Sequence, residues 1–453
     1  MNPIKQSADI AAGRLDNAAY QRNFADSHPP LTPNEALIES DRCYYCYDAP
    51  CVTACPTGID IPSFIRKIAS GNLKGSAHDI LKENIMGAVC ARVCPTEVLC
   101  EGACVRTSQE KKPVAIGALQ RYATDWLFEN NIQLFAPATG SGKRVAIVGG
   151  GPAGLSCAHR LALLGHAVVV YEAREKLSGL NEYGIAAYKV KDDIAQREVQ
   201  YLLAIGGIET RLRQALGRDF TLPEMSAQYD AVFLSVGLCG VNSLGLEPEA
   251  QSGVYDAVEY IERLRQSNDL STLPVGRRVV VIGGGMTAID VASQVKRLGA
   301  EEVTIVYRRS MEHMGASEKE QNWAQTSGVQ IRHWASPRRL IGVDGALAAV
   351  EFDYTRLDGQ GRAVSTGATF TLAADMLFKA IGQIFVRDEL GAGADLLQLH
   401  NGRLRVDAER KTSLAKVWAG GDCVAGGEDL TVVAVQDGKQ AAHSIDRFLR
   451  LRN

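Results

Sequence analysis

No stretch of this 453-residue chain approaches 18 continuous apolar residues, and the opening MNPIKQSADIAAGRLDNAAYQRNF holds no apolar run of signal-peptide length. Neither a membrane partner nor a secretory leader is expected, and the chain reads as cytoplasmic, where disulfides seldom persist. An excess of charge is missing too. The balance of 49 Lys+Arg against 52 Asp+Glu leaves a net charge of -3, which argues against a nucleic-acid partner. The eight histidines show no metal-ligand spacing. What remains is a globular composition, 46% apolar, in a chain too long for one ordinary core, so two or three domains are expected.

Cysteine, by contrast, is concentrated. Eight of the eleven fall between Cys43 and Cys104. They form C-x2-C-x4-C-x3-C (Cys43, Cys46, Cys51, Cys55) and C-x3-C-x5-C-x3-C (Cys90, Cys94, Cys100, Cys104), with Pro56 and Pro95 each directly after a cysteine. Zinc would suit the pair Cys43/Cys46, but structural zinc usually takes compact paired knuckles, often with histidine. A cysteine followed by proline, with its mates a few residues upstream, favours iron–sulfur ligation by thiolates. Zinc and disulfides are the alternatives. Between the two groups, apolar residues at helical intervals predict two short helices broken at Gly71 and Gly75. Upstream, TPNEALIESDRC predicts a helix with Thr32 as N-cap and Pro33 at its first position. The first ~135 residues thus read as a helical domain held by inorganic clusters, and FAPATGSGKR as a linker.

The segment RVAIVGGGPAGLSCAHRLALLGHAVVVYE follows. An apolar strand (Val145–Val148) meets Gly149-x-Gly151-x-x-Gly154, then a helix, then a strand ending at Glu172. In that context the glycines and the acid form a dinucleotide fingerprint, with the pyrophosphate at the helix N-terminus and Glu172 on the ribose hydroxyls. The pattern returns at Gly283, Gly285 and Ala288, but here the second strand runs into Tyr307-Arg308-Arg309 instead of an acid. Guanidinium groups there lean towards NADP(H); an arginine pair on a solvated face is the alternative. Further on, VWAGGDCVAGGEDLTVVAVQDGKQAA reads as a strand, a Gly-Gly-Asp turn and a helix from near Thr431. Asp422 is suited to a ribityl hydroxyl, and the helix N-terminus to negative charge on a reduced flavin. FLSVGL and FKAIGQ read as strands where the chain crosses between two nucleotide domains. Cys157, Cys239 and Cys423 read as small structural residues.

Cysteine block, FAD fingerprint, nicotinamide fingerprint and terminal G-G-D turn with its helix, in this order, resemble the glutamate synthase small subunit superfamily. Within it, CPTEVLC, APCVTACPTGIDIPSFI and IGALQRYATD resemble the FAD/iron–sulfur subunit of NAD(P)-dependent dihydropyrimidine dehydrogenases. The likeness runs from about residue 30 onwards. It implies an α/β fold: an N-terminal helical iron–sulfur domain (1–137), an FAD domain (138–238 and 382–453), and an NAD(P)H domain (239–381) inserted in it.

The same resemblance implies two [4Fe–4S] clusters, FAD, and NAD(P)H as substrate. One cluster would take Cys43, Cys46, Cys51 and Cys104. The other would take Cys55, Cys94, Cys100 and the side-chain oxygen of Gln120, leaving Cys90 spare, although spacing alone nominates Cys90. Flavin contacts would fall on Gly149, Gly151, Pro152, Ala153, Gly154, Glu172, Leu180, Lys189, Gly421, Asp422, Thr431 and Val432. Nicotinamide-nucleotide contacts would fall on Gly284, Gly285, Met286, Thr287, Arg308, Arg309, Ala380, Ile381 and Gly382. Met286 replaces the usual aspartate of GGGDTA, and Gly315 replaces a third basic residue of NADP-linked relatives. Hydride transfer would follow from cofactor geometry, with no catalytic acid or base. Neither a second ferredoxin-type cysteine set nor an FMN barrel follows residue 104. The implied partner is an FMN- and iron–sulfur-containing subunit that reduces uracil or thymine, in a hetero-oligomer expected to be a heterotetramer. A glutamate synthase large subunit, or free ferredoxin, is the alternative acceptor.

Overall fold

A computed structural model describes residues 9–246 and 252–451, so part of the opening segment read for a leader lies outside the described residues. The chain divides into two compact units. One comprises His28–Glu182, Val190–Gly240 and Ile384–Asn453, and the other the described parts of Met1–Ser27, Tyr183–Lys189 and Val241–Gln383.

The first unit opens with helices Pro33–Asp41, Ile61–Ala69, Leu73–Glu83, Gly87–Val93 and Ile116–Glu129. Thr32 caps the first as expected, and Glu35 completes a capping box by reaching back to the Thr32 amide at 2.8 Å. Gly71, at φ +75°, ends the Ile61 helix. Gly75 does not break a helix as expected: its N–H is bonded by the Asn72 side chain inside the first turn of Leu73–Glu83. A free backbone amide is wanted there, so glycine at that point is compatible with helix initiation. Residues 135–143 carry no regular element, as the linker reading anticipated, but its last residue, Arg144, already opens a strand.

The same unit then builds a five-stranded parallel sheet, in the order Val417–Ala419, Ala231–Leu234, Arg144–Val148, Ala167–Glu172, Ile208–Leu212. Four strands precede Val241–Gln383 in the chain and one follows it, so this main segment of the second unit is inserted in the first. The residues of Arg144–Val148 after the first are buried on both faces of the sheet, which explains the unbroken apolar run. Helices Pro152–Leu163 and Thr431–Arg450 cross closely: a Cβ on Gly438 would lie 2.1 Å from the Ala153 carbonyl oxygen.

In the second unit the parallel order is Val254–Asp256, Met376–Lys379, Arg278–Ile282, Glu302–Val306, Gln330–Arg332. Strand residues Val279, Val281, Val303 and Ile305 join a core with Tyr20 of helix Asn17–Asn23 and with Phe24, which caps its end, while Val280, Ile282 and Val306 pack on a three-stranded antiparallel sheet through Leu340, Val350 and Phe352. The alternation follows the two-residue period of a strand buried on both sides. Among the described residues no helix is long and apolar enough to cross a membrane.

Replacing Gly438 with alanine should force the two crossing helices apart at a cost of about 1–3 kcal/mol. Thermal unfolding of the purified protein checks this, and an unchanged Tm would mean that the helices part without strain.

Candidate functional site

Two regions gather the thiols of the first unit. Cys43, Cys46, Cys51 and Cys104 line one cavity, walled by Ile61, Ile65, Val114 and Ile116 and bordered by Tyr44 and Arg106. Burial raises the Cys43 thiol and pushes Cys51 up to about 12, with Cys104 adding to the second effect. Thiolates at such positions need cationic charge beside them, which iron supplies. The second group is Cys55, Cys94 and Cys100. Cys94 is raised first by the hydrogen bond its protonated thiol gives to Cys90, then by burial and by Cys100 and Cys55; Cys100 is raised by burial, then by Glu101 and Cys55. Gln120 is buried and donates from Nε2 to the Gly87 carbonyl at 2.7 Å, so Oε1 is the end of the amide left for a ligand. Cys90 lies on helix Gly87–Val93, and Gln120 therefore stands beside the start of that helix. All eleven cysteines are free, which removes the disulfide alternative. Cys157 and Cys423 are buried as expected, whereas Cys239 lies at the surface, where the chain leaves its strand.

The first fingerprint occupies the C-terminal edge of the parallel sheet. Gly149, at φ +103°, brings the backbone so close to the next strand that a Cβ would sit 2.2 Å from the Ser235 carbonyl oxygen. Pro152, Ala153 and Gly154 open the helix whose free amides face the edge. Glu172 is buried and accepts from the Gly150 amide at 2.8 Å and the Arg174 amide at 2.9 Å, which sets the carboxylate against the fingerprint turn. Leu180 follows Ser178 and Gly179, and the Ser178 amide donates to the Gly150 carbonyl at 2.8 Å. Across the same edge, Gly421 donates to the buried Asp437 at 2.9 Å. Asp422 is pushed up to about 6 by burial and by Asp429. Thr431 starts the long helix, its hydroxyl donates to Asn181 at 2.7 Å, and Val432 is buried behind it.

In the second unit Gly283 repeats the role of Gly149, with a Cβ 2.1 Å from the Ala380 carbonyl oxygen. Gly284 lies against Tyr307, and Gly285, Met286 and Thr287 start helix Met286–Arg297. Ile381 accepts from Asn242 at 3.1 Å, and Gly382 has φ +90°. Arg309 has a buried Nε without a hydrogen-bond partner, whereas the Arg308 carbonyl accepts from Thr355. Lys189 is held between Asp290 at 2.7 Å and Glu320 at 3.1 Å. Burial opposes its charge, but the two carboxylates outweigh that and keep it protonated.

Comparison with known proteins decides the lineage. Residues 20–132 match the family described as dihydropyrimidine dehydrogenase domain II, 4Fe-4S cluster, and residues 143–438 match pyridine nucleotide-disulphide oxidoreductase. The chain is 36% identical over 434 residues to the NAD-dependent dihydropyrimidine dehydrogenase subunit PreT of Salmonella typhimurium, covering 95% of this chain and 98% of that one. It belongs to this family of pyridine nucleotide-disulphide oxidoreductases. The glutamate synthase [NADPH] small chain of Escherichia coli is a relative at 33% identity, with 94% of each chain covered. Among solved structures, FprA from Mycobacterium tuberculosis shares the fold at 20% identity and a TM-score of 0.58, over 68% of this chain and 85% of its own. Thioredoxin reductase of T. acidophilum does so at 19% identity and a TM-score of 0.53, over 68% and 99%.

Membership makes the chain a flavin-dependent oxidoreductase with a 4Fe-4S segment, and the cysteine-lined cavity fits that group. Several residues that matter to the arrangement carried no signal in the sequence. Asn181, the acceptor for Thr431, also donates to the Met86 sulfur at 4.0 Å. Lys439 donates to the Thr57 carbonyl at 2.8 Å and pairs with Glu83 at 2.9 Å. The first ties the fingerprint edge to Met86, at the start of the helix that ends before Cys94, and the second ties it to Thr57, two residues after Cys55; no local pattern marks an asparagine or lysine for such a long-range role.

Glu198, fully buried on helix Ile194–Leu203, was missed as well. Its Oε1 accepts from the Ala88 and Val89 amides at 2.8 and 3.2 Å, and Oε2 has no partner. Burial pushes its carboxyl up to about 8, against the pull of those amides. The folded state thus keeps a proton that the unfolded chain releases near 4.5, so this group's stabilisation is complete below 4.5 and is lost as pH rises towards about 8. Glu198→Gln keeps an acceptor for both amides, so its Tm should fall less across that window than that of the unmodified protein. Parallel Tm profiles would show that Glu198 is ionised throughout.

Proposed function

We propose that this chain is the electron-input subunit of a two-subunit dihydropyrimidine dehydrogenase. In this reading it oxidises NAD(P)H at an FAD held by the first fingerprint, Gly421, Asp422 and the start of the Thr431 helix. Two [4Fe–4S] clusters, on the two cysteine sets named above, lead to a partner subunit carrying FMN and iron–sulfur clusters. One NAD(P)H and one proton then saturate the 5,6 double bond of one uracil or thymine. The flavin supplies two-electron acceptance from the nicotinamide and release in single steps. The protein's own part is to bind, orient and insulate. The domain boundaries at 137/138, 238/239 and 381/382 belong to the same reading.

The observation that carries it is the cavity lined by Cys43, Cys46, Cys51 and Cys104 in the unit that also holds the FAD fingerprint. Likeness to PreT along nearly the whole chain supports the substrate class. The contacts Thr431–Asn181–Met86 and Lys439–Thr57 favour the Cys55/Cys94/Cys100 set as the flavin-side cluster, and the Cys43 set as the outer one. Likeness to the glutamate synthase small chain supports a second reading, with a glutamate synthase large subunit as acceptor. The two part on one assay: NAD(P)H oxidation driven by uracil when the pyrimidine-reducing subunit is added, or by glutamine and 2-oxoglutarate with the synthase subunit.

The isolated protein should carry flavin and about eight irons per chain. Iron near zero with zinc in its place would overturn the cluster assignment. If Gln120 is the eighth ligand, Cys90→Ser should keep the iron and Gln120→Leu should lose about half of it, with hydride transfer to flavin spared. The reverse pattern would make Cys90 the ligand. A separate expectation concerns the nucleotide. If Arg308 and Arg309 grip a 2′-phosphate, replacing both with alanine should raise KM for NADPH about ten-fold or more and leave NADH nearly unchanged. Equal effects on the two nucleotides would assign the pair to a solvated face.

A further inference from the structure

The helix Pro33–Asp41 buries Ala36 and Ser40 and leaves the opposite stripe, Asn34, Leu37, Ile38 and Asp41, in solvent. Positions at this spacing share one face of a helix. Leu37 is 47% and Ile38 66% exposed, in the middle of a nine-residue helix that leads straight into Cys43. The loop that follows continues the pattern, with Tyr44 51% exposed and Tyr47 wholly so. Four large apolar side chains thus stand in water within eleven residues. Scattered singly they would mean little, but grouped they mark a contact surface. Tyr44 also borders the cavity of the Cys43 set, and the Arg106 guanidinium lies 4.0 Å from its ring centroid. Through Tyr44 the apolar surface thus reaches the wall of the Cys43 thiol set.

Charge narrows the choice of partner. The exposed ionic groups on this helix and loop are Glu35, Asp41 and Asp48. Arg42 turns inward, to Glu39 at 2.5 Å and to the Lys112 and Pro113 carbonyls. An apolar centre with carboxylates at its edge matches an apolar spot edged by lysine and arginine.

We infer that the Leu37–Tyr47 face is the docking surface for the electron-accepting subunit, which presents a basic-edged apolar patch close to its own one-electron centre. This rests on the reading of the chain as an electron-input subunit. Each electron leaving the Cys43 set then reduces one centre on the partner, and NAD(P)H supplies the pair. Tyrosines at the centre supply large contact area for little loss of side-chain entropy.

The test uses the holo-protein and the FMN- and iron–sulfur-containing pyrimidine-reducing subunit. The variant Leu37→Gln/Ile38→Gln should raise Kd by about ten- to thirty-fold. NADH-driven reduction of a small soluble dye should be unchanged. Asp41→Lys should weaken binding too, and chiefly slow association at low salt. Hydrogen exchange should slow over residues 34–48 in the complex, a readout that needs no substitution. Binding unaltered by these variants, or protection located elsewhere, overturns the docking face while leaving the subunit reading intact. Self-association of the chain that Leu37→Gln/Ile38→Gln abolishes assigns the face to a second copy and overturns it as well. Absence of any complex between the unmodified chain and that subunit overturns the subunit reading and the docking face together.

Discussion

At Gly438 any side chain would strike the Ala153 carbonyl, and the close crossing this permits is the contact on which the first unit depends. Helix Pro152–Leu163 begins at the fingerprint, and helix Thr431–Arg450 begins nine residues after the Gly-Gly-Asp turn. Holding them together brings two helix N-termini to one sheet edge, where their free amides favour negative charge. The next residue, Lys439, extends the same helix's reach to the Thr57 carbonyl and to Glu83. One tight crossing thereby sets both the nucleotide edge and the cysteine-bearing helices beside it.

Burial sets the chemistry of the cysteine region. Thiols that sit in an apolar wall resist ionisation, and burial pushes Cys51 up to about 12. A group that binds them as thiolates must bring its own positive charge into the cavity, as iron does. The same low-dielectric surroundings hold Glu198 near neutrality, with one oxygen on two backbone amides and the other unpartnered. Cys90, Gln120 and Glu198 are all buried at helix Gly87–Val93.

The two fingerprints show one backbone solution with two sets of side chains. Gly149 against Ser235 and Gly283 against Ala380 make the same close approach at the ends of parallel strands. What differs is the end of the second strand. Glu172 locks onto the Gly150 amide, whereas the corresponding region of the other unit offers Tyr307 against Gly284 and a free Arg309 Nε. A carboxylate favours ribose hydroxyls and a guanidinium favours a phosphate. In the proposed reading, ligand choice resides in a few side chains on a shared frame.

Local rules were enough for much of this molecule. Thr32 with Pro33, the glycines of both fingerprints, the apolar strands and the Thr431 helix all follow from spacing and backbone conformation, which act over a few residues. The cysteine pattern marked iron–sulfur chemistry for the same reason. Gly75 was misread because a glycine that starts a helix and one that ends it look alike in sequence. Spacing alone did not say which thiols share a cavity, and the grouping of Cys104 with Cys43, Cys46 and Cys51 came from the resemblance, because they meet only when the intervening helices fold back. The burial of Glu198, the inward turn of Lys189 onto Asp290 and Glu320, and the surface position of Cys239 were equally hidden. Each depends on partners distant in the chain, so tertiary packing decided them: desolvation and long-range pairing are properties of the folded chain and leave no local signature.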